Sequence, residues 1–261
     1  GEIRYFGNRF YLYGTSYNCG FQWLSPSPFC GFKSYSSTDL KHWKDEGPLF
    51  DATIPTWQRR CNGFGCFRPH VLYNPQTNLY VLWFNEFSAE APYNYRVLTS
   101  PSPAGPFTEA GTAAVDVRRD INPGGIVAGD FNLFLDTDGA AYIIFTYFNA
   151  TPPQAPQLYT QRLNSTFTSG EGSSAPVAVD VEGSVLFKRD STYYALYGPG
   201  CPYCSGTVSY VKRSSSPLGP WSEAAAISPD SCGGQPTSVF SLNTAAGPTY
   251  LYMSDLWQAN E

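Results

Sequence analysis

The chain has 261 residues, 42% of them hydrophobic, 16% aromatic and only 14% charged, with a net charge of −5. That is enough chain for one large core or two small ones. It lacks the basic patches that nucleic-acid binding needs, and no apolar run approaches the ~18 residues that span a bilayer.

The 24 glycines and 22 prolines are scattered between apolar runs, as in a turn-rich β protein. No signal peptide opens the chain. From Gly1 onward one unit recurs: an apolar strand, a polar turn, then an aromatic strand. It pairs residues 3–6 with 10–13, 71–73 with 79–83, 133–135 with 142–145, 185–187 with 193–197, and 239–242 with 250–252. A third strand is expected at 33–36, 95–98, 157–160 and 208–211. Two of these lead into nearly the same phrase, Ser102-Pro103-Ala104-Gly105-Pro106-Phe107 and Ser216-Pro217-Leu218-Gly219-Pro220-Trp221, where an aromatic after a tight turn can fill the gap between repeats. Five hairpins of this kind predict an all-β, five-bladed β-propeller formed by residues 1–261 as a single domain. Both ends read as cuts through that domain, so the first and fifth blades are expected to be incomplete.

The seven cysteines are Cys19, Cys30, Cys61, Cys66, Cys201, Cys204 and Cys232. Cys201-Pro-Tyr-Cys204 has redox-motif spacing but no strand-to-helix setting, and with only His42 and His70 a zinc site lacks ligands. Local disulfides, Cys19–Cys30, Cys61–Cys66 and Cys201–Cys204, are the better account. Together with the sequons Asn149-Ala-Thr151 and Asn164-Ser-Thr166 they point to a secreted glycoprotein. No metal or cofactor is expected, and a monomer is.

Innermost propeller strands line a central channel, so equivalent side chains of each repeat converge. Three places before the first apolar residue of the inner strand stand Arg68, Asp130, Glu182 and, in the fifth repeat, Pro236 beside Gln235. In the first repeat this position falls one residue ahead of Gly1. Asp130 and Glu182 lie in apolar, small-residue stretches where a carboxylate is costly unless used or paired. They are the candidate catalytic pair. Arg68, Gln235, Tyr17, Trp23, Trp57 and Trp83 are candidate sugar-binding residues, the aromatics by stacking.

Here the chain resembles glycoside hydrolase family 43. The resemblance rests on Gly129-Asp130-Phe131-Asn132-Leu133-Phe134, on Val181-Glu182-Gly183-Ser184-Val185, on the Gly-Pro-Phe/Trp turns and on Gly234-Gln235-Pro236-Thr237-Ser238. It implies an inverting glycosidase with Glu182 as general acid, Asp130 as the group that tunes it, and a base just before Gly1. The Gln235 segment and Tyr252-Met253-Ser254-Asp255-Leu256-Trp257 look most like fungal exo-β-1,3-galactanases, some of which replace the Asp base by Gln or another group. Those relatives carry an acid where Phe67 precedes Arg68-Pro69, which leaves arabinose- or xylose-releasing activity open. A non-catalytic carbohydrate-binding propeller is the alternative, and a protein-interaction propeller a third reading.

Overall fold

The computed structural model describes residues 1–22, 25–61, 65–86, 94–117, 125–150, 153–200, 207–245 and 247–256. Their strands form antiparallel sheets in simple up-and-down order. The first sheet is β1 (Glu2–Phe6), β2 (Arg9–Thr15), β3 (Phe32–Ser37) and β4 (Lys44–Pro48), followed by a short helix, α1 (Pro55–Arg60). The second is β5 (Cys66–Asn74), β6 (Leu79–Glu86), β7 (Asn94–Ser100) and β8 (Thr108–Ala113). The third is β9 (Gly125–Leu135), β10 (Ala141–Ala150), β11 (Pro153–Leu163) and β12 (Gly170–Val179). The fourth is β13 (Val181–Arg189), β14 (Thr192–Pro199), β15 (Ser209–Ser214) and β16 (Ala225–Ser228), and the fifth is the pair β17 (Gln235–Thr244) and β18 (Gly247–Asp255).

This is the blade organisation of a β-propeller. Each hairpin expected from the repeat is present, and each third strand too. The first sheet corrects one expectation: it has all four strands, because Glu2 to Phe6 already pairs along its length with residues 9–13. The fifth sheet has two.

The chain forms two compact units. The first comprises Gly1–Ala114 with Ser165–Ser169, the second Val115–Asn164 with Gly170–Glu261. In the first, Phe32, Leu49, Phe50, Trp57, Phe84 and Phe107 belong to one buried aromatic-rich cluster. Burying a side chain of this size contributes about 1.5–3 kcal/mol. Phe107, the aromatic after the Gly-Pro turn, fills this core and donates its backbone N–H to Leu49 O at 2.7 Å, tying the second sheet to the first. Trp221 does the corresponding job in the second unit, packing on a cluster that includes Tyr142, Ile144, Leu186 and Tyr197.

Candidate active site on the innermost strands

The first strand of each later sheet is interrupted at one level. In β5, Arg68 and Pro69 stand between the paired positions Phe67–Asn85 and His70–Trp83, opposite Phe84 alone. In β9, residues 128–130 stand opposite Thr146 alone. In β13, Gly183 and Ser184 stand opposite Tyr197 alone, directly after Glu182. In β17, Thr237 is extra, directly after Pro236. β1 pairs with β2 without a shift. An extra residue bends a strand and re-aims its side chains, and such bulges concentrate beside active sites. Here the bulges coincide with the positions that the repeat alignment singles out.

Three of those positions lie on neighbouring inner strands of the second unit. β13 packs between β9 and β17, and Asn132, two residues past Asp130, donates its amide to Thr237 O at 3.3 Å. Glu182 is buried and Asp130 half-buried. Gly183 turns the chain with φ +62°, a conformation that costs a residue with a Cβ. The absent side chain also makes room: a Cβ there would fall 2.5 Å from Gln235 Cγ and 3.1 Å from its Cδ. The buried Gln235 side chain therefore lies over the peptide that follows Glu182. An acid, a second carboxylate and a neutral amide on neighbouring strands can donate a proton, hold a charge beside it, and hydrogen-bond a neutral substrate.

The other sequence-predicted residues belong to the first unit or lie outside the described residues. Arg68 is buried and holds a left-handed backbone, φ +54°, a strain on the order of 1 kcal/mol for a residue with a Cβ. Tyr17 is exposed, its ring 5.6 Å from that of Phe21. Two stacking candidates are corrected. Trp83 is fully buried and donates its indole N–H to Phe167 O at 2.7 Å. Trp57, the buried residue of α1, packs on Phe50 and Phe84. Neither ring offers a face to a sugar. Trp23, Cys201 and Cys204 lie outside the described residues. Cys19–Cys30 and Cys61–Cys66 are disulfide-bonded as expected, and Cys232 is an exposed free thiol.

Sequence reasoning missed a second polar level. One place before the first apolar residue of the inner strand, each repeat carries a polar residue: Glu2, His70, Asn132, Ser184 and Ser238. All five are buried. Reading the residue one place back, as well as three, would have found them.

In the first unit this level holds a buried ion cluster. Glu2 accepts from the Val71 N–H at 2.5 Å, from His70 Nδ1 at 2.9 Å and from the Arg4 guanidinium at 2.8 and 2.9 Å. Burial by itself would raise the Glu2 carboxyl, but Arg4 and then His70 and the Val71 N–H outweigh it and hold the pKa at about 2. Burial keeps the His70 imidazole below its ordinary 6.5 in spite of Glu2. The pair is thus a carboxylate accepting from a neutral imidazole whose proton sits on Nδ1.

The family model of the glycosyl hydrolases family 43 matches residues 2–231. Among solved structures, the exo-β-1,3-galactanase from Clostridium thermocellum is 25% identical with a TM-score of 0.80, over 98% of this chain and 54% of that one. The exo-β-1,3-galactanase from Phanerochaete chrysosporium, as a variant with β-1,3-galactotriose, is 20% identical with a TM-score of 0.78, over 98% of this chain and 56% of that one. An endo-1,4-β-xylanase from Bacteroides thetaiotaomicron shares the fold more loosely, at 22% identity and a TM-score of 0.65, over 100% of this chain and 85% of that one. The chain thus spans about half the length of the two galactanases. No curated protein matches it in sequence.

Proposed function

Because the chain belongs to glycosyl hydrolase family 43, we propose that the full-length protein is a secreted, inverting glycosidase that releases galactose from β-1,3-galactan. The observation that carries this reading is the repeated bulge, which sets Asp130, Glu182 and the Gln235–Pro236 pair at one level of three neighbouring strands in one unit. The likeness to the Clostridium thermocellum exo-β-1,3-galactanase supports the choice of sugar. The two disulfides support an oxidising route of export.

In this mechanism Glu182 is protonated and gives its proton to the glycosidic oxygen as the bond from the anomeric carbon to that oxygen breaks. A water attacks the same carbon from the opposite face, and its proton passes to a base. Inversion requires the acid and base about 6.5–9.5 Å apart to leave room for that water. A negative charge at the Asp130 position of the neighbouring inner strand opposes ionisation of Glu182. Gln235 donates hydrogen bonds to sugar hydroxyls.

The test is product analysis on β-1,3-galactan. Galactose should appear first as the α anomer, and Glu182→Gln should lower kcat about 10²–10⁴-fold. Wild-type turnover in Glu182→Gln would remove the acid role. Hydrolysis of arabinan or xylan but not of galactan would replace the sugar while keeping the chemistry.

A further inference from the structure

The second unit carries a cleft that the proton chemistry does not use. It has a volume of about 450 Å³ and is lined by β11 and β12 of the third sheet and by β13, β14 and β15 of the fourth. Clefts of this size hold small ligands. Its wall is apolar at Val177 and Val181, both buried, and at the exposed Val179.

Three polar groups stand against that wall. Tyr197 is 3% exposed, and its hydroxyl, open to the cleft, has no hydrogen-bond partner among the described residues. Burial, and then Tyr210 and Glu223, push this hydroxyl up to about 12, so it keeps its proton at neutral pH and can donate. A donor carried on a packed ring loses little freedom when it binds. Lys212 gives one of its three N–H donors to Val177 O at 2.9 Å, which fixes the ammonium and leaves two donors for a ligand. Glu223 brings a carboxylate that makes no ion pair among the described residues. Beside them, Tyr159 donates its hydroxyl to Gln157 Oε1 at 3.0 Å.

These groups narrow the ligand. Lys212 and Glu223 are the charged residues of the lining, one of each sign. An anionic ligand would meet Glu223, and a cationic one Lys212. Hydroxyls both donate and accept, so they satisfy ammonium, carboxylate and phenol together. The cleft therefore suits a neutral polyhydroxylated molecule whose C–H surface rests on the valines. Val181, in the lining, immediately precedes Glu182, and successive side chains of a strand point to opposite faces. The cleft thus lies across β13 from the acid, as a separate site within the same unit.

We propose that the cleft framed by Tyr197, Lys212 and Glu223 is a second, non-catalytic sugar site, which takes a neutral sugar unit of the polysaccharide and holds the chain on the enzyme. The identity of that sugar as galactose rests on the function proposed above; the site itself does not.

The experiment is calorimetric titration of the full-length Glu182→Gln protein with β-1,3-galactotriose, for which two sites per chain are expected. Tyr197→Phe, which keeps the ring and its packing, should weaken the second site about 3–10-fold. Lys212→Met should weaken it about 10–100-fold. A galacturonate trimer should bind there less well than the neutral one, and Glu223→Gln should narrow that gap. With Glu182 intact, Tyr197→Phe should leave kcat on a nitrophenyl β-galactoside unchanged and raise KM for β-1,3-galactan about 3–10-fold. A single site that neither Tyr197→Phe nor Lys212→Met alters would overturn the second site and leave galactan hydrolysis standing. A fall in kcat on the small galactoside would equally overturn it, because the cleft would then serve the catalytic centre. Where galactotriose does not bind, xylo- and arabino-oligosaccharides replace it. A site for either one that Tyr197→Phe weakens would support the cleft and reject the galactose assignment. Absence of binding to every neutral oligosaccharide would overturn both.

Discussion

Glu2 and Glu182 are both buried carboxylates on innermost strands, one in each compact unit. Glu2 stands in a strand that pairs without interruption, and its oxygens face an arginine, an imidazole N–H and a backbone N–H. Glu182 stands at the edge of a bulge, with a left-handed glycine after it and Asp130 at the matching level of the next inner strand. Burial alone therefore does not make a general acid. A carboxylate surrounded by donors is locked in its ionised form and holds strands together. In the mechanism proposed above, the one at a bulge, with a second carboxylate at the matching level of the next inner strand, supplies the proton.

The sharpest way to break this contrast is to neutralise each glutamate in turn. Glu2→Gln should cost about 3–5 kcal/mol, because Arg4 and its neighbours then face a buried neutral group. Glu182→Gln should cost less than about 1 kcal/mol while abolishing most turnover. Urea midpoints compare the two directly, and equal midpoints would erase the distinction. The same cluster predicts a pH dependence. The folded pKa of Glu2, about 2, lies below its ordinary 4.5, so its contribution is complete above 4.5 and is lost as pH falls from 4.5 through about 2. His70, depressed below 6.5, acts in the same direction and begins to cost stability as pH drops below 6.5. Glu2→Gln should flatten the acid limb of a plot of stability against pH, and a limb as steep as the wild type's would refute the ionised cluster.

The contrast also marks what the sequence could and could not reveal. The five hairpins were legible because inner and second strands are apolar runs broken by turn residues, as in residues 71–83. The fourth strands were not. β4, β8 and β16 are mostly exposed and show no alternation, so only pairing with the preceding strand makes them strands. α1 is six residues with one buried side chain, too short for a helical period to appear. Trp83 was misread because the middle of β6 is buried on both faces, which removes the alternation that tells a core ring from a binding ring. At the site, the alignment found Asp130 and Glu182 by register, yet passed over Glu2, whose partner His70 lies 68 residues away. A buried charge is recognised by its partners, and partners that distant are invisible until the strands meet.

A smaller effect tests the bulge itself. Gly183→Ala places a side chain on a left-handed backbone and against Gln235 Cγ. It should lower stability by about 2 kcal/mol. It should also reduce kcat, because Gln235 must move from the peptide that follows Glu182. A variant with wild-type kcat on galactan would show that the position of Gln235 is irrelevant to turnover.

The smallest expected change concerns Asp130. In the proposed mechanism Glu182 is the general acid, which works only while protonated, so the alkaline limb of the kcat profile should follow its pKa. A negative charge nearby disfavours ionisation of Glu182, and Asp130→Asn removes that charge without altering the size of the side chain. The alkaline limb should then move to lower pH, by about one unit. The acid limb, set by the base, should move less. A limb that stays in place, or that shifts to higher pH, would mean that Asp130 orients the acid or the sugar without setting its protonation. The two carboxylates of the second unit would then divide the work differently from Glu2 and its cations only in geometry, not in charge.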